Sequence, residues 1–119
     1  MKANNLIEEK SFKFALRIVN LYKFLQTQKK EYIMSKQILR SGTSVGANIA
    51  EGVEAQSKKD FISKMSIALK EANETKYWLR LLIASDYIDS NVGGNLKEEL
   101  LEIIKILTAI LKKSRENLK

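Results

Sequence analysis

Residues able to do chemistry are few in this sequence, and their types favour binding over catalysis. The 119-residue chain has no histidine and no cysteine. Without histidine it lacks the usual proton shuttle near neutral pH and the Glu-x-x-His spacing with which helical bundles hold paired iron ions. Without cysteine, disulfides and thiolate metal sites are excluded. Two carboxylate clusters remain, Glu51 with Glu54, and Glu98 and Glu99 with Glu102. The second is expected in the first turns of a helix, where acids complement the positive end of the helix dipole and need no catalytic explanation. The sequence therefore predicts no enzyme, no catalytic residue, no metal ligand and no cofactor.

The cations are more numerous and better ordered. The formal net charge is +7, and residues 1–40 hold most of the excess, with nine Lys/Arg against three Glu. Lys10, Lys13 and Arg17 recur at i, i+3, i+7; Tyr32, Lys36 and Arg40 recur at i, i+4, i+8, with Lys29 and Lys30 just before them. On two adjacent helices these rows predict one cationic strip containing an aromatic ring. Such a strip suits RNA or DNA phosphates, with Tyr32 placed to stack on an unpaired base. An ordinary solvated helix face also accounts for them, because Lys and Arg are common there. A basic tail of Lys112, Lys113, Arg115 and Lys119 is a second candidate, although cations at a helix C-terminus are favoured by the dipole in any case.

The elements that must position these residues are helices. There is no proline, there are only five glycines, and Leu, Ile, Ala, Lys and Glu dominate; with that composition only short polar breaks interrupt helix formation. The first helix is expected over about 5–27, opened by Asn5 with Glu8, with Phe14, Ala15, Ile18, Val19, Tyr22 and Leu25 inward and Leu21 and Phe12 widening that face. The second follows over about 31–54. Ser57 with Asp60 is a capping box for a third helix over about 58–85, whose row Phe61, Met65, Ala68, Ala72, Thr75, Leu79 and Leu82 alternates steps of three and four. Asp86–Gly94 has the composition of a turn, and Asn95 with Glu98 opens a fourth helix over about 96–117, with Leu96, Leu100, Ile103, Leu107 and Ile110 inward. The prediction is all-α: one domain, residues 1–119, folded as an antiparallel up-down four-helix bundle.

The second helix carries the most unusual stretch. Gly42, Gly46 and Ala50 form a stripe without bulky side chains, which predicts close backbone approach by another helix, since glycine in a helix interior costs roughly 1 kcal/mol against alanine. Beside it, Asn48 and Glu51 in antiparallel register would face Glu71, Glu74 and Thr75 as a structural polar network. Leu101, Ile104, Leu111, Ile62, Leu69 and Trp78 exceed what one narrow seam per helix can bury. They point either to a wide core or to an oligomer interface on the third and fourth helices.

The run Ser-Gly-Thr-Ser-Val-Gly-Ala-Asn-Ile-Ala-Glu-Gly (41–52), then Asp60-Phe61 and Glu74, resembles the four-helix-bundle family named for proteins encoded in 23S rRNA intervening sequences. The resemblance covers about Lys10 to Ile88 and departs from the commonest family pattern at Gly42 and Gly46. It implies a small bacterial bundle assembled as a homo-oligomer, commonly a pentamer. It also implies kinship with the accessory protein of diversity-generating retroelements, which binds nucleic acid and a reverse transcriptase. With no signal peptide and no run of ~20 apolar residues, the expectation is a cytoplasmic protein without a membrane partner. It would bind RNA or DNA through Lys10, Lys13, Arg17, Lys29, Lys30, Tyr32, Lys36 and Arg40. The alternative is a non-catalytic scaffold that docks a partner enzyme such as a reverse transcriptase.

Overall fold

The computed structural model describes residues 2–118, with side chains from Asn4 to Leu118. Four helices follow one another: α1 (Lys2–Thr27), α2 (Met34–Val53), α3 (Lys58–Ala84) and α4 (Ser90–Glu116). α1 packs on α2, α2 on α3, α3 on α4 and α4 back on α1. The result is an up-down antiparallel bundle with extents of 49 × 21 × 20 Å. One end holds the α1–α2 and α3–α4 connections; the other holds the α2–α3 connection and the end of α4.

Local chemistry sets most helix ends. α3 opens where Ser57 Oγ accepts from the Asp60 N–H at 3.1 Å, as its capping box predicts. α1 already begins at Lys2, so Asn5 lies inside the helix and caps nothing. α4 differs more from expectation. Asp89, not Asn95, is its cap: Oδ1 accepts from the Asn91 and Val92 N–H groups, both at 2.9 Å. Gly93 and Gly94 are therefore helical. A Cβ on Gly93 would stand 2.5 Å from Ile83 Cγ1, so that glycine serves close approach of α3 and not a turn.

The core is a continuous apolar column. Ile7, Phe14, Ile18, Leu21 and Leu25 from α1 meet Ile38, Val45 and Ile49 from α2, while Met65, Ala68, Ala72, Leu79 and Leu82 from α3 meet Leu96, Leu100, Ile103, Leu107 and Leu111 from α4. Leu111 takes the inward place expected of Ile110, which is half-buried with Phe61, Ile62, Leu69, Trp78 and Ile104. Phe12 does not widen the α1 core face; it is 65% exposed, and Leu16 one turn on is 52% exposed. Apolar exposure thus falls on α1 as well as on Ile67 and Tyr77 of α3 and Leu101 of α4.

Within α2 the small residues divide between two neighbours. A Cβ on Gly42 would meet Ile18 Cγ1 and Cγ2 at 2.9 Å, and one on Gly46 would meet the Ser11 carbonyl oxygen at 3.3 Å. Both glycines therefore admit α1. Ala50 is exposed and takes no part in that approach; the next small residue that matters is Gly52, whose Cβ would stand 2.9 Å from Met65 Cε of α3. The stripe fails at its third member because each i, i+4 step advances about 40° around a helix of 3.6 residues per turn, which turns Ala50 about 80° away from Gly42.

Candidate nucleic-acid interface

The cationic strip expected across α1 and α2 is split. Lys10 Nζ pairs with Glu102 Oε2 at 3.0 Å. Arg17 Nη1 donates to Glu99 Oε2 and to Asn95 Oδ1, each at 2.7 Å. These cations lie along the α1–α4 seam and are spent on it, which also corrects the reading of Glu99 and Glu102 as acids serving the dipole of a first helical turn. Lys13 pairs with Glu9 one turn back at 2.9 Å. That contact holds the Glu9 carboxyl below its ordinary range and raises the Lys13 ammonium, by hydrogen bonding first and charge second.

The second half of the strip is different. Lys29, Lys30, Lys36 and Arg40 are exposed, and none forms an ion pair among the described residues. Lys29 Nζ stands 5.9 Å from the centre of the Phe24 ring, a cation–π distance. Tyr32 is not on the α2 face with Lys36 and Arg40, because α2 starts at Met34; it belongs to the connection and is 49% exposed.

Glu31 builds that connection, a role that sequence reading missed. Its side chain reaches forward over the start of α2, where the carboxylate accepts from the N–H groups of Ile33 (3.2 Å), Met34 (3.1 Å) and Ser35 (2.7 Å). These are orphan donors of a first helical turn, and a carboxylate satisfies them while opposing the dipole favourably. The Glu31 N–H closes on the Leu25 carbonyl at 3.0 Å. Ser35 Oγ donates to the Glu31 carbonyl at 2.7 Å and accepts from Gln26 Nε2 at 3.1 Å. A signal existed in the sequence: an acid three residues before a helix start, with serine four residues after it.

The polar network is dispersed instead of shared. Thr75 Oγ1 donates to the Glu71 carbonyl at 2.8 Å and lies 2.9 Å from Ser41 Oγ, a buried pair across the α2–α3 seam. Ser41 was not among the residues expected there. Asn48 Nδ2 bonds within its own helix to the Ser44 carbonyl at 2.8 Å. Glu51 pairs with Lys64 at 3.2 Å, and Glu74 Oε2 accepts from Trp78 Nε1 at 3.3 Å. The Glu71 side chain makes no hydrogen bond among the described residues. At the far end, Lys112, Lys113 and Arg115 are helical residues of α4 and not a loose tail, and Arg115 Nη2 donates to Ser66 Oγ at 3.0 Å. Lys119 lies outside the described residues.

A groove of about 780 Å³ opens between the C-terminal half of α1 and the start of α4, at the same end as the cationic turn. Leu21, Phe24, Ile83, Tyr87, Val92 and Leu96 form the apolar part of its lining, and Arg17, Lys29, Asp86 and Asp89 the charged part. Among the described residues no cluster of three acids is placed to hold a metal ion, and no helix is long and apolar enough to cross a membrane.

Fold and surface together define a small up-down helical-bundle protein with a cationic α1–α2 turn. The sequence profile described as 23S rRNA-intervening sequence protein matches residues 3–109, and the chain belongs to that family. It is similar to a protein with unknown function from the S23 ribosomal protein family of Bacteroides thetaiotaomicron VPI-5482, whose crystal structure is at 1.70 Å resolution. The two are 56% identical, the match covers 92% of this chain and 98% of that one, and the TM-score is 0.91. No curated protein matches the sequence.

Proposed function

We propose that this chain is a non-catalytic, cytoplasmic homo-oligomer that binds RNA or DNA electrostatically, without sequence preference, through Lys29, Lys30, Lys36 and Arg40. The observation that carries the reading is the sorting of the two expected rows: Lys10, Lys13 and Arg17 have acidic partners, while Lys29, Lys30, Lys36 and Arg40 form no ion pair among the described residues. Free cations release counterions when they meet phosphates, and that release drives binding that depends on salt. Oligomerisation adds to it, because several weak contacts on one assembly act together. Phe12 and Leu16 support a second copy as the neighbour. They are large apolar side chains turned to solvent. A pentamer is the assembly that the family resemblance implies.

Fluorescence anisotropy with labelled 20-mer RNA and DNA tests the binding. Affinity should fall steeply as salt rises, and reversing Lys29, Lys30, Lys36 and Arg40 to Glu together should abolish it. Binding that ignores both changes would overturn the reading. Light scattering tests the assembly: a 13.6 kDa particle at micromolar concentration would rule the oligomer out.

The groove between α1 and α4 favours a second reading, a scaffold that docks a partner enzyme, since the apolar side chains and the acids Asp86 and Asp89 in its lining suit a protein segment better than a phosphate backbone. Under it, Val92→Asp would break capture of the partner and leave oligonucleotide affinity unchanged.

A further inference from the structure

We infer that the α1–α2 turn is a stacking platform for an unpaired nucleobase, so that single strands bind in preference to duplex; this rests on the nucleic-acid reading above. Glu31 is the only acidic residue between Glu9 and Glu51, and the fold withdraws it: it is 8% exposed, with its carboxylate committed to three backbone N–H groups. What the turn shows to solvent is therefore Lys29, Lys30, Tyr32 and Ile33, followed along α2 by Lys36 and Arg40.

The turn is also held in one shape. Lys30 sits at φ 53°, in the left-handed region, where the chain reverses. The bonds from Glu31 to Leu25, from Ser35 to Glu31 and from Gln26 to Ser35 tie the connection to both helices. None of these bonds uses the side chain of Tyr32 or Ile33. Ile33 is 76% exposed, the most exposed of the large apolar residues among those described. An aromatic ring and an aliphatic side chain are thus both displayed on a turn fixed by hydrogen bonds, with Lys29 and Lys30 before them and Lys36 and Arg40 after them.

That combination discriminates between forms of nucleic acid. A duplex offers phosphates but hides its base faces, so Tyr32 and Ile33 would lose water and meet charge. A single strand can turn one base onto the Tyr32 ring and lay its sugar against Ile33, while neighbouring phosphates meet Lys29 and Lys30 and the strand runs on toward Lys36 and Arg40. Because the support is already ordered, little side-chain or loop entropy remains to be lost on binding.

The test compares three 20-mer ligands in anisotropy at one salt concentration: oligo-dT, a duplex, and an abasic strand that keeps the phosphates but lacks bases. Oligo-dT should bind at least about tenfold more tightly than either of the others. Tyr32→Ala should weaken oligo-dT binding about five- to a hundredfold, Tyr32→Phe should stay within about twofold of wild type, and duplex and abasic binding should not change. Tyr32 makes no internal bond, so an unchanged thermal melt will show that each variant is folded. Equal losses on all three ligands, or none on any, would overturn the stacking platform while leaving electrostatic binding intact. Absence of all oligonucleotide binding at low salt would overturn both. Co-sedimentation with phosphatidylserine vesicles that Ile33→Asp abolishes, in a protein that binds no oligonucleotide, would overturn them in favour of a membrane surface.

Discussion

Arg17 holds the Glu99 carboxylate at 2.7 Å across the seam between α1 and α4, and that contact separates cations that join helices from cations that remain free. Removing the first kind should therefore test packing and not binding. Lys10→Met and Arg17→Met should each leave oligonucleotide affinity within about twofold and lower stability by only about 0–1 kcal/mol, the range for ion pairs that keep substantial exposure. Urea denaturation beside anisotropy measures both. A large loss of affinity in either variant would return the α1 cations to the binding surface.

Glu31 offers a sharper test of the turn. Glu31→Ala should cost about 1–2 kcal/mol, the upper range for losing a helix cap, because three N–H groups lose their acceptor together. Glu31→Gln keeps one acceptor oxygen and should fall between that variant and wild type. Urea midpoints will rank the three proteins. If the order fails, the carboxylate does not carry the start of α2.

The glycines should divide by what stands opposite them. Gly42→Ala forces a methyl against Ile18, where the space is 2.9 Å. Overpacking of about 1–3 kcal/mol should exceed the gain of roughly 1 kcal/mol from better helix propensity. Gly94 has nothing within 4 Å of where a Cβ would stand, so Gly94→Ala should raise stability by up to about 1 kcal/mol. Equal effects at the two sites would mean that α1 is not in close contact with α2.

Ser41 and Thr75 should behave as a coupled pair. Thr75→Val leaves the buried Ser41 hydroxyl without its cross-helix partner and should cost about 1 kcal/mol or more. Adding Ser41→Ala should cost less than the sum of the single changes, since the second change removes the orphaned group. A double-mutant cycle in urea gives the coupling directly, and strict additivity would show that the two hydroxyls do not interact.

The Glu9–Lys13 pair makes a prediction about pH. Glu9 is held below its ordinary range by Lys13, so its contribution to stability is complete above the unfolded glutamate value and is lost as pH falls through the lowered folded midpoint. Lys13 is raised by the same contact; its contribution is complete below the unfolded lysine value and is lost as pH rises through the raised midpoint. Carboxyl NMR titration should show the Glu9 midpoint moving up in Lys13→Met. An unmoved midpoint would mean that the pair does not form in solution.

The origin of these features differs. Amphipathic spacing predicted four helices and their order, because a 3.6-residue repeat of apolar side chains already specifies which face of each rod must leave water. Ser57 and Asp60 marked the start of α3 because a cap is a contact among residues three apart. The start of α4 was not legible: Gly93-Gly94 has the composition of a turn, and it is the Asp89 cap upstream, with Ile83 packed where a Gly93 side chain would be, that carries the helix through the pair.

For the candidate interface, the rows Lys10, Lys13, Arg17 and Lys36, Arg40 could be placed on helix faces from spacing alone. Which row stayed free could not. Lys10 and Arg17 meet Glu102 and Glu99 from the opposite end of the chain, and Glu31 turns inward onto backbone donors that exist only once α2 begins. Local periodicity is written into neighbouring residues and follows from the geometry of a single helix. Charge pairing between helices depends on how four such rods are set in register, and that is decided by the packing of the whole core.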